Sequence, residues 1–198
     1  MKIILIRHGM TKGNTEKRYI GSTDEPLCTQ GIKQILTYIK ANKYPEAEVI
    51  YTSSLLRCLQ TSELIYPDKR PVLCENLREC DFGELENKNY PDLTGNEKYQ
   101  EWIASNGTLE FPSGENQQSF RNRCIKAYET IIDNSKNDSI TLVVHGGTIM
   151  SILEKYGLPK KGFYDWQLSN GDGYMCELEE DNRSLKVLRK LCDTGGQL

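Results

Sequence analysis

The sequence predicts an α/β fold, a three-layer α/β/α sandwich with a mostly parallel sheet and an antiparallel edge. Three observations carry that reading. Strand-like and helix-like patterns alternate along most of the 198 residues. Two aliphatic runs, Lys2–Ile6 (KIILI) and Ser139–Val144 (SITLVV), lack in-out alternation, as strands buried on both faces do. Near the end, Gly173–Leu178 and Ser184–Arg189 flank the polar Glu180–Arg183 and read as a hairpin.

Each element has its own signal. Lys2–Ile6 is the first strand. Thr29–Asn42 reads as a helix with Thr29 as N-cap and Ile32, Ile35, Leu36 and Ile39 on one face. Glu48–Thr52 (EVIYT) is a second strand. Ser54–Tyr66 reads as a helix with Leu55, Leu59 and Ile65 inward and Pro67 beyond its end. Pro71–Cys74 is a brief third strand. The stretch of about 80–112 is polar, carries Gly83, Gly95 and Gly107, and has no clean period. It is expected to be a partly helical, lid-like excursion over one end of the sheet. Ser113–Asn134 reads as a longer helix, with Ser113 as cap and Phe120, Cys124, Tyr128 and Ile131 at helical spacing. Ser139–Val144 is the fourth strand. Thr148–Tyr156 is a helix closed by Gly157 and Pro159.

Length suits one domain spanning 1–198, large enough to bury a core without disulfides or metal. Charged residues are 27% and hydrophobic ones 37%, a globular balance. The net charge of −3 argues against nucleic acid as a partner. No apolar run approaches the ~20 residues of a membrane helix. Met1 and Lys2 are followed by only four apolar residues before Arg7, which is no export signal. Seven cysteines at irregular spacing, with no CxxC pair, predict free thiols, mostly in the core. The expectation is a reduced, cytoplasmic protein without membrane or nucleic-acid partners.

In open α/β sheets ligands bind beyond the carboxyl ends of the strands. The first strand is followed by Arg7, His8 and Gly9, the second by Ser53, Ser54 and then Arg57. The third leads to Leu77, Arg78 and Glu79, and the fourth to His145, Gly146 and Gly147. A lone histidine or arginine at a strand end is more often a satisfied polar residue than a catalyst. Two histidines, two arginines and a carboxylate on one edge are different, because such clustered cations repel unless an anion offsets them. Arginine's planar fork of donors suits phosphate oxygens. Helix N-termini near Ser53 and Gly146 add N–H groups. GxxxxGK[ST], GxGxxG, CxxxxxR and DxD patterns are missing from the relevant positions. The remaining nucleophile is histidine itself.

These residues resemble the histidine phosphatase superfamily, in its phosphoglycerate mutase-like branch. Arg7-His8-Gly9 with Thr11 and Asn14 looks like its RHG signature. Gly21–Gly31 (GSTDEPLCTQG), Ser53–Glu63 (SSLLRCLQTSE), Leu77–Asn87 (LRECDFGELEN) and Val143–Gly147 (VVHGG) resemble four further family segments in family order. The sequence departs from the pattern at Met10, Leu85 and Asn87.

The resemblance implies a metal-independent phosphomonoesterase of the phosphoglycerate mutase-like fold that needs no cofactor. His8 would become phosphohistidine. Arg7, Arg57 and His145 would hold phosphoryl oxygens, with Asn14 and the Gly21 and Gly146 backbones as added donors. Glu79 would be the proton donor, while Glu84 and Glu86 are expected to face solvent. Past Glu79 the chain is acidic, so the outer wall is read as poor in cations, favouring hydrolysis over mutase action. Residues 96–107 and 112–123 resemble α-ribazole phosphatases, which points to α-ribazole 5′-phosphate as substrate. Tyr90, Tyr99, Trp102 and Phe111 either form a stackable wall for it or only pin the excursion down. The alternatives are a broad-specificity sugar-phosphate or nucleotide phosphatase, a phosphoglycerate mutase, and a non-enzymatic phosphate-binding regulator. The expected partner is a small phosphomonoester.

Overall fold

A computed structural model describes residues 1–105 and 109–192. Its seven-stranded sheet consists of β1 (Lys2–Arg7), β2 (Val49–Thr52), β3 (Val72–Leu73), β4 (Ser139–Val144), β5 (Gly157–Leu158), β6 (Gly173–Leu178) and β7 (Leu185–Lys190). The order is β3-β2-β4-β1-β6-β7-β5. The first four in that order are mutually parallel, β6 runs antiparallel to its neighbours β1 and β7, and β5 pairs parallel with β7. The fold class and the hairpin are as the sequence predicts.

The central strand shows why a run without alternation is required. Ile3 and Leu5 of β1 pack with Tyr128, Ile131 and Ile152 on one face. Ile4 and Ile6 pack with Ala47, Cys58 and Tyr66 on the other. All four β1 isoleucines and leucines are fully enclosed. Five of the seven cysteines are buried free thiols.

The helices are α1 (Lys12–Thr15), α2 (Thr29–Lys40), α3 (Leu56–Ile65), α4 (Glu97–Ala104), α5 (Gln117–Asn134) and α6 (Gly146–Tyr156). Several boundaries differ from expectation for physical reasons. Helix α2 is capped by the Cys28 sulfur, which accepts from the Gly31 N–H, so Thr29 is its first residue and not its cap. Leu36 is 42% exposed and does not belong to the packed face. Helix α3 turns Arg57, Cys58, Thr61 and Ser62 inward, whereas Leu55, Leu59 and Ile65 are only half-buried. Helix α5 starts at Gln117 under the Asn116 cap. Ser113 instead sits at φ 56° in a turn, its hydroxyl donating to Glu84. Strand β3 is two exposed residues at the sheet edge. Gly157 has φ −66° and opens β5, so it is no left-handed helix stop.

The excursion carries α4 and two short 3-10 turns, Gly83–Leu85 and Pro91–Leu93. Gly107 lies outside the described residues. Leu85, Leu93, Tyr99 and Phe111 form a small core with Phe120 and Cys124 of α5. No helix among the described residues is long and apolar enough to cross a membrane.

Candidate active site

Strand register builds the site. Parallel β1 and β4 pair from Lys2 with Ser139 up to Arg7 with Val144. The next residue on each strand is a histidine, so His8 and His145 leave the sheet side by side. Their ring centroids lie 5.2 Å apart, edge to face. Strand β2 ends beside β4, which brings Ser53 and the start of α3 to the same edge.

His8 is 4% exposed. Its Nδ1 lies 2.7 Å from the Gly9 carbonyl. A carbonyl only accepts, so Nδ1 carries the proton and Nε2 keeps its lone pair. Burial, then the charges of Arg57 and Arg7, push this imidazole well below its ordinary pKa. The ring is neutral at pH 7, and an unprotonated imidazole nitrogen is chemically able to act as a nucleophile.

Arg57 is fully enclosed. Its Nη2 donates to the Gly21 carbonyl at 2.7 Å and its Nη1 to the Thr23 carbonyl at 2.8 Å. Its Nε–H points at His145 Nδ1, 3.3 Å away. His145 Nε2 therefore holds the ring's proton and donates to the Ser53 hydroxyl at 2.8 Å. Both nitrogens of His145 are thus engaged with protein groups, Nδ1 with Arg57 and Nε2 with Ser53. Thr61 ties the two motifs together, accepting from Gly9 N–H and donating to the Arg57 carbonyl. Arg7 donates to the Leu168 carbonyl, and its Nε is buried without a protein partner. Such an orphaned donor beside Gly146 suits an oxyanion.

Glu79 receives the Cys80 and Gly147 N–H groups, each at 3.0 Å. Burial raises its carboxyl above the usual value, against those two bonds and the pull of Arg57 and Arg7. Gly147 is required here, since a Cβ would stand 2.3 Å from Glu79 Oε1. Arg123 braces the Glu79 loop, pairing with Glu115 at 2.7 Å and donating to the Asn76, Arg78 and Glu79 carbonyls. Asn14 accepts from Thr11 N–H and from Asn170 through its Oδ1, which leaves its amide N–H groups for the cavity it lines.

Gly21 is not an oxyanion donor. Its N–H lies 3.1 Å from both oxygens of Glu86, and its backbone is so close to Cys80 that a Cβ would fall 1.8 Å from that carbonyl. Glu86 does not face solvent either. It is half-buried and also takes the N–H groups of Ser22, Thr23 and Phe82 and the Thr23 hydroxyl. Burial pushes its carboxyl up, but those bonds outweigh that and hold it below the ordinary range. Glu84 is at the surface, bridged to Lys98 at 2.8 Å.

Arg7, Asn14, Glu79 and Gly146 open onto a cavity of about 370 Å³. Its outer wall is aromatic: Tyr19, Phe82, Trp102, Phe111, Phe163 and Tyr164. Of the four aromatics singled out in the sequence, Trp102 and Phe111 reach it. Tyr99 is buried against Tyr19, and Tyr90 is 66% exposed elsewhere. Two cations missed in the sequence, Arg18 and Arg121, also line it. The first pairs with Glu16 and Asp92, both at 2.6 Å. The second pairs with Glu154 at 2.8 Å and stacks on Phe163, 4.0 Å from its centroid.

Residues 3–190 match the family model described as histidine phosphatase superfamily (branch 1). The chain is 31% identical over 169 residues to the Escherichia coli O1:K1 protein named "Probable phosphoglycerate mutase GpmB", covering 80% of this chain and 76% of that one. The phosphoglycerate mutase of Thermus thermophilus superposes with TM-score 0.72 at 28% identity, over 97% of this chain and 99% of that one. The α-ribazole phosphatase of Shigella flexneri superposes with TM-score 0.83 over 95% and 96%, and at 24% identity that likeness speaks to the fold alone. A match running from residue 3 to residue 190, over a sheet that sets two histidines side by side, means that the chain belongs to branch 1 of the histidine phosphatase superfamily.

Proposed function

We propose that the protein hydrolyses a small phosphomonoester through a phosphohistidine on His8. The observation that carries this is the Nδ1–H bond from His8 to the Gly9 carbonyl, which leaves Nε2 unprotonated in the field of the enclosed Arg57 and the half-buried Arg7. In the first step Nε2 attacks phosphorus and the bond to the ester oxygen breaks. Glu79, whose carboxyl burial raises above its usual value, gives that oxygen a proton as it departs. Ionised Glu79 then takes a proton from water as the water's oxygen attacks phosphorus. The P–N bond breaks, and phosphate leaves with His8 neutral again. Arg7, the free N–H groups of Arg57, the Asn14 amide and the Gly146 N–H stabilise the phosphoryl oxygens, where charge builds up in transfer.

Hydrolysis is favoured over mutase action by the pairing of Arg18 and Arg121. Neither is an unengaged cation for a second acidic group on the substrate. The aromatic wall favours a leaving group with a flat apolar part, such as the benzimidazole of α-ribazole 5′-phosphate, over a plain sugar. The test is a panel of phosphomonoesters containing α-ribazole 5′-phosphate, a nucleotide, a sugar phosphate and 3-phosphoglycerate, scored by kcat/KM. Release of phosphate from any of them is expected, with the aromatic esters best. Tight oxyanion binding without turnover would favour a regulatory protein instead. Trp102→Ala should lower kcat/KM about tenfold on an aromatic ester through KM, from the loss of stacking. On glycerol phosphate the change should stay below about threefold. Equal losses would mean that Trp102 only holds the excursion in place.

A further inference from the structure

We propose that Glu86 is a positioning residue for Arg57, acting through the peptide group that joins Gly21 to Ser22. This rests on the phosphotransfer reading above. That one peptide group has a partner at each end. Its N–H, from Ser22, donates to Glu86 Oε1 at 2.8 Å. Its carbonyl, from Gly21, accepts from Arg57 Nη2 at 2.7 Å. A carboxylate and a guanidinium are thereby connected through a peptide dipole whose positive end faces the anion and whose negative end faces the cation. Hydrogen bonds in series polarise one another, so each strengthens the other.

The neighbouring contacts enforce the same geometry. Three consecutive backbone N–H groups, from Gly21, Ser22 and Thr23, converge on Glu86, and the Thr23 hydroxyl joins them at 2.6 Å. The carbonyls of Gly21 and Thr23 take the two terminal nitrogens of Arg57. One side of the loop is fastened to a carboxylate and the other side holds the guanidinium. Turning the loop by even a few tens of degrees would misdirect both carbonyls and let Arg57 rotate about its Nε.

Glu86 stands at the end of the Gly83–Leu85 turn and also accepts the Phe82 N–H at 3.0 Å. The same carboxylate thus registers the excursion, and its aromatic wall, against the phosphoryl-binding arginine. A correctly seated excursion and a correctly aimed Arg57 become one condition.

The experiment is a double-mutant cycle on the full chain. Glu86→Gln keeps size and one acceptor oxygen but sets an amide N–H₂ against backbone donors. It is expected to weaken vanadate affinity and kcat/KM on p-nitrophenyl phosphate by about 10-fold each, the scale of a hydrogen bond to a charged group. In an Arg57→Ala background the same change should cost less than about twofold, because its effect passes through Arg57. A purely structural role would give equal losses in both backgrounds and would overturn the proposal, as would Glu86→Gln with unaltered vanadate affinity. Should the glutamine variant not fold, Glu86→Asp, one methylene shorter, is measured in the same cycle with the same criteria. Wild-type protein with no turnover at all would sink the phosphatase reading. Wild-type turnover with an additive cycle would sink only the role of Glu86.

Discussion

A His8→Ala variant is expected to lose about 10⁴-fold or more of kcat/KM on p-nitrophenyl phosphate, the scale seen when a nucleophile is removed. No other group replaces it. His145 has both nitrogens committed, to Arg57 and to Ser53. The Cys58 thiol is buried against that ring, and burial, first of all, pushes its pKa up to about 12, so it stays protonated. The variant should keep its fold, because the Gly9 N–H bond to Thr61 and the β1–β4 pairing do not use the imidazole. Rapid quenching of wild-type protein with labelled substrate should trap an acid-labile, alkali-stable phosphoenzyme that His8→Ala lacks. A variant with near-normal rates, or one that still traps the label, would refute the nucleophile assignment.

The second large effect is expected from Glu79→Gln, and it should depend on the leaving group. The ratio kcat/KM reports the first transfer, in which the ester oxygen departs. An alkyl oxygen needs a proton there, and loss of the donor should cost about 10²- to 10⁴-fold. A nitrophenolate needs none, and the loss should stay near tenfold. The pH profile gives an independent check. His8 is pushed well below its usual value, so the neutral nucleophile persists down through mildly acidic pH, and the acid limb lies below the ordinary imidazole range. Glu79 is raised, so its useful protonated form is lost only as pH climbs through that raised value, which sets the alkaline limb. Glu79→Gln should therefore flatten the alkaline limb and leave the acid limb in place. Equal losses on aryl and alkyl esters would remove Glu79 from the donor role. Glu84 and Glu86 offer no substitute, since one is bridged to Lys98 and the other is locked by the 21–23 loop.

Why the sheet and the residues at its edge are legible in the sequence, and the loop contacts are not, has a physical reason. A strand buried on both faces has to be continuously apolar, so Lys2–Ile6 and Ser139–Val144 announce themselves, as does the polar residue that ends each. His8, Glu79, His145, Arg7 and Arg57 are local to strand ends, and parallel pairing carries them together without further information. Glu86 is misread because its five donors come from residues 21–23 and 82, and a carboxylate in a polar run looks the same whether solvated or clamped. Helix α3 misleads for a related reason. Leucines at helical spacing suggest an apolar inner face, while the site demands that Arg57 and Thr61 point inward instead. Helix α6 starts two residues earlier than its pattern suggests, because Gly146 and Gly147 trade helix propensity for close approach to Arg7 and Glu79. Arg18 and Arg121 escape a sequence reading because they flank the excursion from far apart in the chain.

The enclosure of Arg57 has a thermodynamic consequence. Its guanidinium is held by two carbonyls and an imidazole, so its charge is solvated by dipoles rather than neutralised. Inorganic phosphate, the product of the proposed hydrolysis, is an ion suited to complete it, and the unfolded chain offers no such site. Mass action then makes the product a stabiliser, adding about 2.7 kcal/mol at a concentration 100 times its Kd. Thermal melting in phosphate should rise with concentration above that in chloride of equal ionic strength. The same ion should slow hydrolysis competitively, so this protein lasts longest under the conditions in which it works least.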